Sequence, residues 1–204
     1  SGEVFIKNVP GVAAANKTVD LNGQPLSNAG NWQAQNSNLD TGKDYYTEIT
    51  NRMIFGVTPN TFTGSFNGIP NADGFTYYKS TGAIDLSSQN FGSSKVVLIV
   101  EGNVNIKGNI TFASGGQFIL LAKGNITIDP AVSNVQGIYL TQQVLSTGTG
   151  NQLRLDGSFI GMAGVQLQRT GGSPSELFVF HPEYLTSLPK YMLRKNVIWE
   201  EVAP

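Results

Sequence analysis

The chain has 204 residues and a formal net charge of −1, with 40% hydrophobic and only 13% charged residues. This length fits one domain with a sizeable core, and the near-neutral charge argues against a protein that binds nucleic acid over its whole surface. The sequence contains no cysteine, which excludes disulfides, thiolate catalysis and cysteine-ligated metal.

The low charged fraction also describes the surface. Charged residues usually make up about 25% of a soluble protein, so this surface is polar through Asn, Gln, Ser and Thr. Such a composition is typical of extracellular proteins and of stacked β structures. The chain opens on Ser1-Gly2 and not on a signal peptide. We therefore expect a longer natural N-terminus that carries an export signal or a membrane anchor.

Residues 1–92 are predicted to form an N-terminal capping region. Residues 3–9 have the pattern of one strand, and Trp32 stands alone in a polar stretch, either as a plug of the core or as a platform for a sugar ring. Farther on, the segment 70–74 resembles part of a calcium loop but lacks the remaining ligands. No metal site and no cofactor are therefore predicted. The segment 82–86 has the pattern of a first coil strand.

One short helix is predicted at about residues 41–55. Asp40 or Thr41 is suited to the N-cap, and Asp44 favours the first turn. An apolar stripe follows at helical spacing. We expect this helix to cover the open end of the following structure. The stripe consists of Tyr46, Ile49 and Met53.

Residues 93–168 carry a repeat of about 20 residues. The segments VVLIV-EGN-VNI, FILLA-KGN-ITI, GIYLT-QQV-LST and LRL-DGS-FIG align with one another. Gly102 and Gly124 lie 22 residues apart, Gln143 follows after 19, and Gly157 after another 14. A repeat of strands and turns without helical periodicity predicts an all-β fold, a β-solenoid with irregular coils.

Alternation along these strands predicts which side chains point inward. The corner glycines are predicted to be Gly102, Gly108, Gly124 and Gly157, and the asparagines beside them (103, 105, 109 and 125) are predicted to form amide ladders that satisfy the backbone of the next coil. The predicted core consists of Val104, Ile106, Ile110, Phe112, Phe118, Leu120, Ile126, Ile128, Val132, Ile138, Leu140, Leu153, Leu155 and Phe159.

Residues 169–204 change in character. Two prolines flank EYLTSL, and a strand-like NVIWEEV follows. We predict a C-terminal cap that packs on the solenoid, with Phe178, Phe180 and Trp199 docking on its side or closing its far end.

The series VEGNVNI, LAKGNITI, GIYLT and LDGSFIG, with the closing EYL and IWEEVAP segments, resembles the β-solenoid ectodomains of bacterial surface proteins. These occur in long pilin-like chains associated with type IV pili. The resemblance covers about residues 93–204. It implies export, an N-terminal pilin-like or membrane segment, a bacterial cell-surface location, and a binding or scaffolding role.

Four polar residues are predicted to share one outward place beside the corner glycine of successive coils. They are Glu101, Lys123, Gln142 and Asp156. Parallel β-helix enzymes that act on polysaccharides place carboxylates and basic residues on one face in this way, and glycoside hydrolysis needs such a pair. The structural alternative is a solvated ladder of alternating charge. We predict binding, not catalysis, along this row.

The remaining candidates are weaker. His181 is the only histidine, and no nucleophile-elbow sequence accompanies it for a Ser-His-Asp triad. Binding of single-stranded nucleic acid would require several basic residues on one face with Tyr139 or Phe112. The basic residues concerned are Lys95, Lys107, Lys123, Arg154 and Arg169.

The sequence thus predicts a non-enzymatic surface or pilus-associated module for adhesion, ligand binding or assembly. Its expected partners are other surface or pilus subunits, or an extracellular ligand such as a glycan or DNA. A carbohydrate-active β-helix enzyme and a DNA-binding pilus-tip module are the alternatives. A cleft with two carboxylates within about 10 Å would favour the enzyme, and a flat polar side would favour the binding module.

Overall fold

The structure is a computed structural model that describes residues 4–6, 11–15, 32–36, 43–54, 56–172 and 174–193, with backbone only for the first three ranges and residue 54. In chain order its elements are β1 (Val4–Ile6), β2 (Gly11–Ala15), β3 (Trp32–Asn36), α1 (Tyr45–Ile54), β4 (Asn60–Thr61), β5 (Phe75–Ser80), β6 (Ile84–Leu86), β7 (Gln89–Asn90), β8 (Lys95–Val100), β9 (Val104–Ile106), β10 (Ile110–Thr111), β11 (Gln117–Ala122), β12 (Ile126–Ile128), β13 (Asn134–Thr141), β14 (Val144–Ser146), β15 (Leu153–Gly161), β16 (Gly164–Gln166), β17 (Glu176–Val179) and α2 (Pro182–Thr186).

These strands form a β-solenoid of about 6 turns, which confirms the predicted fold class. All strand pairs between coils are parallel, and the coil has three faces. Face one contains β4, β5, β8, β11 and the second halves of β13 and β15. Face two contains β6, β9, β12, β14 and β16. Face three contains β7, β10, the first halves of β13 and β15, then β17 and β1.

The coils extend beyond the predicted bounds of 93–168. Strands β5, β6 and β7 pair with the next coil, so the first coils lie inside the predicted capping region. Strand β17 likewise continues the sheet inside the predicted C-terminal cap. These outer coils lack the Gly-Asn corner by which the repeat is recognised. Strand β1 pairs with β17, so the N-terminal strand adds to the C-terminal end of the solenoid.

The interior is filled by side chains that stack on their equivalents in the next coil. Face two contributes one aliphatic row, Ile84, Val104, Ile126, Leu145 and Val165. An aromatic row runs beside it, with ring centroids 4.8 to 6.2 Å apart between successive members. This row consists of Phe66, Phe91, Phe118, Tyr139, Phe159 and Phe178.

The predicted core is largely confirmed. Eleven of its fourteen members are buried, and Phe112 and Phe159 are partly buried against the same cluster. Ile138 and Leu140, however, point to the outside of face one, where they join a second apolar cluster. Strand alternation predicts correctly which residues of face one share a side. It does not tell which side faces the interior, because the residues on both sides are apolar.

The second cluster explains the position of the helix. Tyr46 and Met53 of α1 pack on the outer side of face one, against residues such as Tyr77, Ile99 and Leu121. Tyr184, Leu188, Tyr191 and Met192 of the C-terminal segment cover the same side. The prediction that α1 covers the open end is therefore wrong. Helix α1 covers an apolar flank that would otherwise face water.

The N-terminal end of the core is covered by a loop. Phe62 and Phe66 lie with their ring centroids 4.9 Å apart, and Phe66 packs edge-on against Tyr78 and Phe91. The predicted docking of Phe178 at the other end is confirmed by its packing on the core. The predicted roles of the Trp32 side chain and of Trp199 lie outside the described residues.

Asparagine ladders hold two corners of the coil, as predicted for Asn103, Asn109 and Asn125. The prediction is wrong for Asn105, which lies in the middle of β9 and donates to the Asp85 side chain. The Asn103 side-chain oxygen accepts the Asn125 backbone N–H at 2.9 Å, and that of Asn125 accepts the Val144 N–H at 3.1 Å. At another corner, Asn109 accepts the backbone N–H groups of Ser133 and Asn134. The amides thus satisfy donors that the turn leaves without a strand partner.

Gly157 forms a different corner from the one predicted. It is in register with Gly137, at the bend where one strand passes from face three to face one. Both have positive φ, +131° and +129°, and a Cβ on Gly157 would collide with the Gly137 carbonyl oxygen. The close approach and the conformation both require glycine.

Ile126→Ala should destabilise the domain by about 3 kcal/mol, because the side chain is fully buried in the aliphatic row. Ile126→Asp should prevent folding, since a carboxylate would be buried without a partner. The control is Thr127→Ala, one residue farther along the same strand but exposed, which should stay within about 0.5 kcal/mol of wild type. Denaturant unfolding measures the stability of the Ile126→Ala and Thr127→Ala variants. Equal unfolding midpoints for these two variants would contradict the assignment of Ile126 to the core.

Candidate functional site

Three of the four predicted row residues do share one place in the coil. The backbone N–H groups of Glu101, Lys123 and Gln142 each donate to the residue that precedes the equivalent position one coil earlier: Ser80, Val100 and Ala122. The next member of the row is Met162, whose N–H donates to Thr141. The row lies directly after the face-one strands, beside helix α1.

Gln142 fastens the start of the helix. Its side-chain oxygen accepts the Tyr46 N–H at 3.4 Å, and its side-chain nitrogen donates to the Lys43 carbonyl at 3.2 Å. One amide therefore satisfies a donor that the first helical turn leaves open and also binds the carbonyl of Lys43, just before the helix. Gln142 thus has a structural role in positioning α1.

Helix α1 begins later than predicted, and its N-cap is Asp44. Two oxygens of Asp44 accept hydrogen bonds from Thr47, one from the backbone N–H at 2.9 Å and one from the hydroxyl at 2.6 Å. Burial opposes ionisation of Asp44, but these bonds and the nearby charge of Lys123 outweigh it and lower its pKa. The alternatives Asp40 and Thr41 lie outside the described residues.

A shallow cleft lies between α1 and the row. Its volume is about 160 Å³. Lys79 and Glu101 form an ion pair on its solenoid side, with Nζ and Oε1 2.7 Å apart. Burial, together with the charges of Glu101 and Asp44, raises the pKa of Tyr46 to about 12. The cleft is lined by Tyr46, Thr47, Thr50, Asn51, Lys79, Ile99, Glu101 and Lys123.

Asp156 does not belong to this row. It is in register with Gln136 on face three, and it is only 1% exposed. Arg154 donates to both of its oxygens at 2.9 and 2.8 Å, and Gln136 donates to it at 3.3 Å. The prediction treated Gly157 as equivalent to the other corner glycines. Only 14 residues separate Gln143 from Gly157, which is less than one coil, so Asp156 does not reach the row.

His181 joins this buried carboxylate to the C-terminal segment. Its Nε2 lies 3.8 Å from Asp156, and its Nδ1 lies 2.7 Å from Glu183, whose pKa the latter contact lowers. The ring stacks on Tyr184 with centroids 4.8 Å apart. Both ring nitrogens face carboxylates, whereas a nucleophilic triad requires one to face a hydroxyl. The arrangement suits attachment of the segment, not nucleophile activation.

The prediction that Tyr139 is an exposed binding residue is also wrong. Its side chain is fully buried in the aromatic row, and its hydroxyl donates to the Gln136 carbonyl at 2.9 Å. A stacking platform for a base or sugar requires an exposed ring. Tyr139 therefore has a packing role.

The predicted basic residues do not form a common nucleic-acid face. Arg169 is buried, and its guanidinium donates to the carbonyls of Asp129, Pro130 and Thr147, each at 2.8 Å. Lys107 pairs with Asp85 on face two, and Arg154 pairs with Asp156 on face three. Most of these cations already have protein partners on separate faces.

Face two presents a row of outward polar side chains, which we call the polar flank. In β9 and β12 the central residue is exposed between two buried neighbours, so each strand presents one side chain outward. Asn105 donates to Asp85 at 2.9 Å, and Lys107 lies 2.6 Å from the other Asp85 oxygen. These two bonds lower the pKa of Asp85. In register, the polar flank consists of Asp85, Asn105, Thr127, Ser146 and Gln166.

Within the described ranges, no group of three or more His, Asp or Glu residues is arranged to hold a metal ion. None of the helices in that part of the chain is long and apolar enough to cross a membrane. The chain matches no protein-family model, no curated protein and no solved structure.

Arg169→Met should destabilise the domain by at least about 3 kcal/mol, because carbonyls of neighbouring coils and the buried Glu176 would lose the compensating cation. Lys107→Met is the control; its ion pair is exposed, so we expect a change within about 0.5 kcal/mol. Thermal and denaturant unfolding give both values. A nearly neutral Arg169→Met variant would contradict the clamping role.

At alkaline pH, helix α1 and the C-terminal segment should detach from the outer side of face one. The pKa values of Tyr46 and Tyr184 rise from their usual 10.0 to about 12, chiefly through burial. Between these pH values the native state retains tyrosine protons that the unfolded state loses. The contribution of the two tyrosines to the free energy of unfolding is therefore fully present below pH 10 and is lost as the pH rises through about 12. Tyr46→Phe should keep α1 attached to higher pH, measured by circular dichroism and thermal unfolding. Identical alkaline profiles of wild type and variant would contradict this.

Proposed function

We propose that this chain is a non-enzymatic module of the bacterial surface that binds an extracellular polar ligand, best matched by a glycan, through the polar flank. The observation that carries the proposal is the geometry of face two. Each of five parallel strands contributes one outward polar side chain to a row in register. The spacing between strands is about 4.8 Å.

The chemistry of the polar flank fits a hydroxyl-rich ligand. Its central row offers a carboxylate, two amides and two hydroxyls, all of which form hydrogen bonds with sugar hydroxyls. The Ser146 hydroxyl already donates to Gln168 at 2.8 Å, and Asn105 is held by Asp85, so these side chains are oriented before a ligand arrives. Such preorganisation reduces the entropy cost of binding.

The surface location and the link to type IV pili rest on the sequence. The low charged fraction and the resemblance of residues 93–204 to pilin-like ectodomains support both. In a long surface protein, the solenoid would act as a rigid stalk or head that presents the flank for adhesion or for contact with other pilus subunits. Antibody labelling of intact source cells tests the location.

The enzymatic alternative has less support. The cleft beneath α1 has one carboxylate in its lining, Glu101, and that group is paired with Lys79. The second carboxylate of the predicted row, Asp156, is buried on a different face from Glu101. The pair of facing carboxylates that glycoside hydrolysis needs is not formed by these residues. The dispersed, paired cations likewise give the DNA-binding alternative little support.

A glycan array followed by affinity measurements tests the proposal. Thr127→Arg places a bulky cation at the centre of the polar flank and should weaken binding at least about tenfold, since it blocks several contacts. Thr63→Arg is the matched control, because Thr63 is an exposed residue of the N-terminal loop and lies outside the flank. It should bind like wild type.

The same glycans should be recovered intact after long incubation with the protein. Release of shortened products would favour the enzyme instead. Binding that Thr127→Arg and Thr63→Arg weaken equally, or no binding to any glycan tested, would contradict the proposed role of the flank.

A further inference from the structure

The cleft beneath α1 combines one charged wall with a hydroxyl-bearing one. Lys79, Glu101 and Lys123 come from three successive coils of the solenoid, whereas Thr47 and Asn51 come from the helix, one turn apart. This juxtaposition exists only because α1 lies across the row of corner residues. The cleft uses none of the five residues of the polar flank, so it is a separate site.

The charges in the cleft leave one cation without an ion-pair partner. Lys79 and Glu101 neutralise each other at 2.7 Å. Lys123 is exposed, and within the described ranges no carboxylate lies within salt-bridge distance of it. Asp44 is the nearby acidic group, but both of its oxygens accept hydrogen bonds from Thr47 at the helix N-cap. The cleft lining therefore carries a net charge of one positive unit.

The neutral part of the lining has two kinds of surface. Tyr46 and Ile99 form a closed apolar floor, since they are only 5% and 1% exposed, and Asn51 offers an amide at the opposite wall. Thr47 and Thr50 offer their hydroxyl oxygens only as acceptors, because these hydroxyls already donate to Asp44 at 2.6 Å and to the Tyr46 carbonyl at 2.8 Å. A ligand that fits must be small, carry hydroxyls and bear one negative charge.

We propose that this cleft binds the carboxylate of a sugar acid, with Lys123 as the charged contact. The hydroxyls of the sugar would meet the Thr47 oxygen, Asn51 and the outer side of Glu101. A phosphate group fits less well, because its greater charge favours an arginine fork or several cations. The same chemistry is offered by a free sugar acid and by a uronate unit within a polysaccharide.

Titration of the isotope-labelled domain, followed by NMR, tests this site. The probes are D-glucuronate, D-glucose, acetate and an oligogalacturonate. Glucuronate should shift the amide signals of Thr47, Asn51 and Lys123 and should bind at least about tenfold more tightly than glucose, because a charge-assisted hydrogen bond is added. Acetate should bind more weakly than glucuronate, since it lacks the hydroxyls.

Lys123→Gln should weaken glucuronate binding at least about tenfold while the melting temperature stays close to wild type, because the residue is exposed. Lys107→Gln is the matched control on face two and should leave affinity unchanged. Tighter binding of the oligogalacturonate would indicate a polymer as the natural source, and equal binding a free sugar acid. No shift at the cleft with any probe, equal binding of glucose, or equal losses in both lysine variants would overturn the proposal.

Discussion

The parallel hydrogen bonding between coils is the constraint on which the rest of this structure depends. Because the backbone donors of each coil pair with the coil before it or with the coil after it, every side chain stands over its equivalent from the neighbouring coil. Most interior positions are therefore apolar, as in the aliphatic row from Ile84 to Val165. Where the backbone turns and loses its partner, side chains replace the missing bonds. Asn103, Asn109 and Asn125 do so at the corners, and Arg169 does so across coils near the C-terminal end.

Face one differs from the other faces because one sheet serves two apolar clusters. Its inner side belongs to the solenoid core, and its outer side would expose Tyr77, Ile99 and Leu121 if nothing covered it. Helix α1 and the C-terminal segment therefore pack there, and they complete the fold in a way that a regular solenoid does not need. Because this covering lies on face one, the polar flank of face two remains open to solvent.

The two proposed sites follow from these two arrangements. The polar flank is a product of strict repetition, since register alone aligns its five outward residues. The cleft is a product of an interruption, where a helix crosses the repeat and brings Thr47 and Asn51 opposite Glu101 and Lys123. A repetitive surface suits an extended ligand, and a small asymmetric cleft suits one unit of a ligand. The flank and the cleft would therefore contribute different kinds of specificity to one surface module.

The sequence by itself determined the solenoid, the asparagine ladders, the approximate position of α1, and the shared row of Glu101, Lys123 and Gln142. These features are set by local periodicity and by turn chemistry, which are legible in one repeat unit. Only the tertiary structure decided that Asp156 and Tyr139 are buried, that α1 covers a flank, and that face one is apolar on both sides. The physical reason is that irregular coils shift the register by a few residues, and a shift of that size changes which side chains meet. Burial and partnership are properties of the stacked coils together, whereas the repeat pattern belongs to each coil alone.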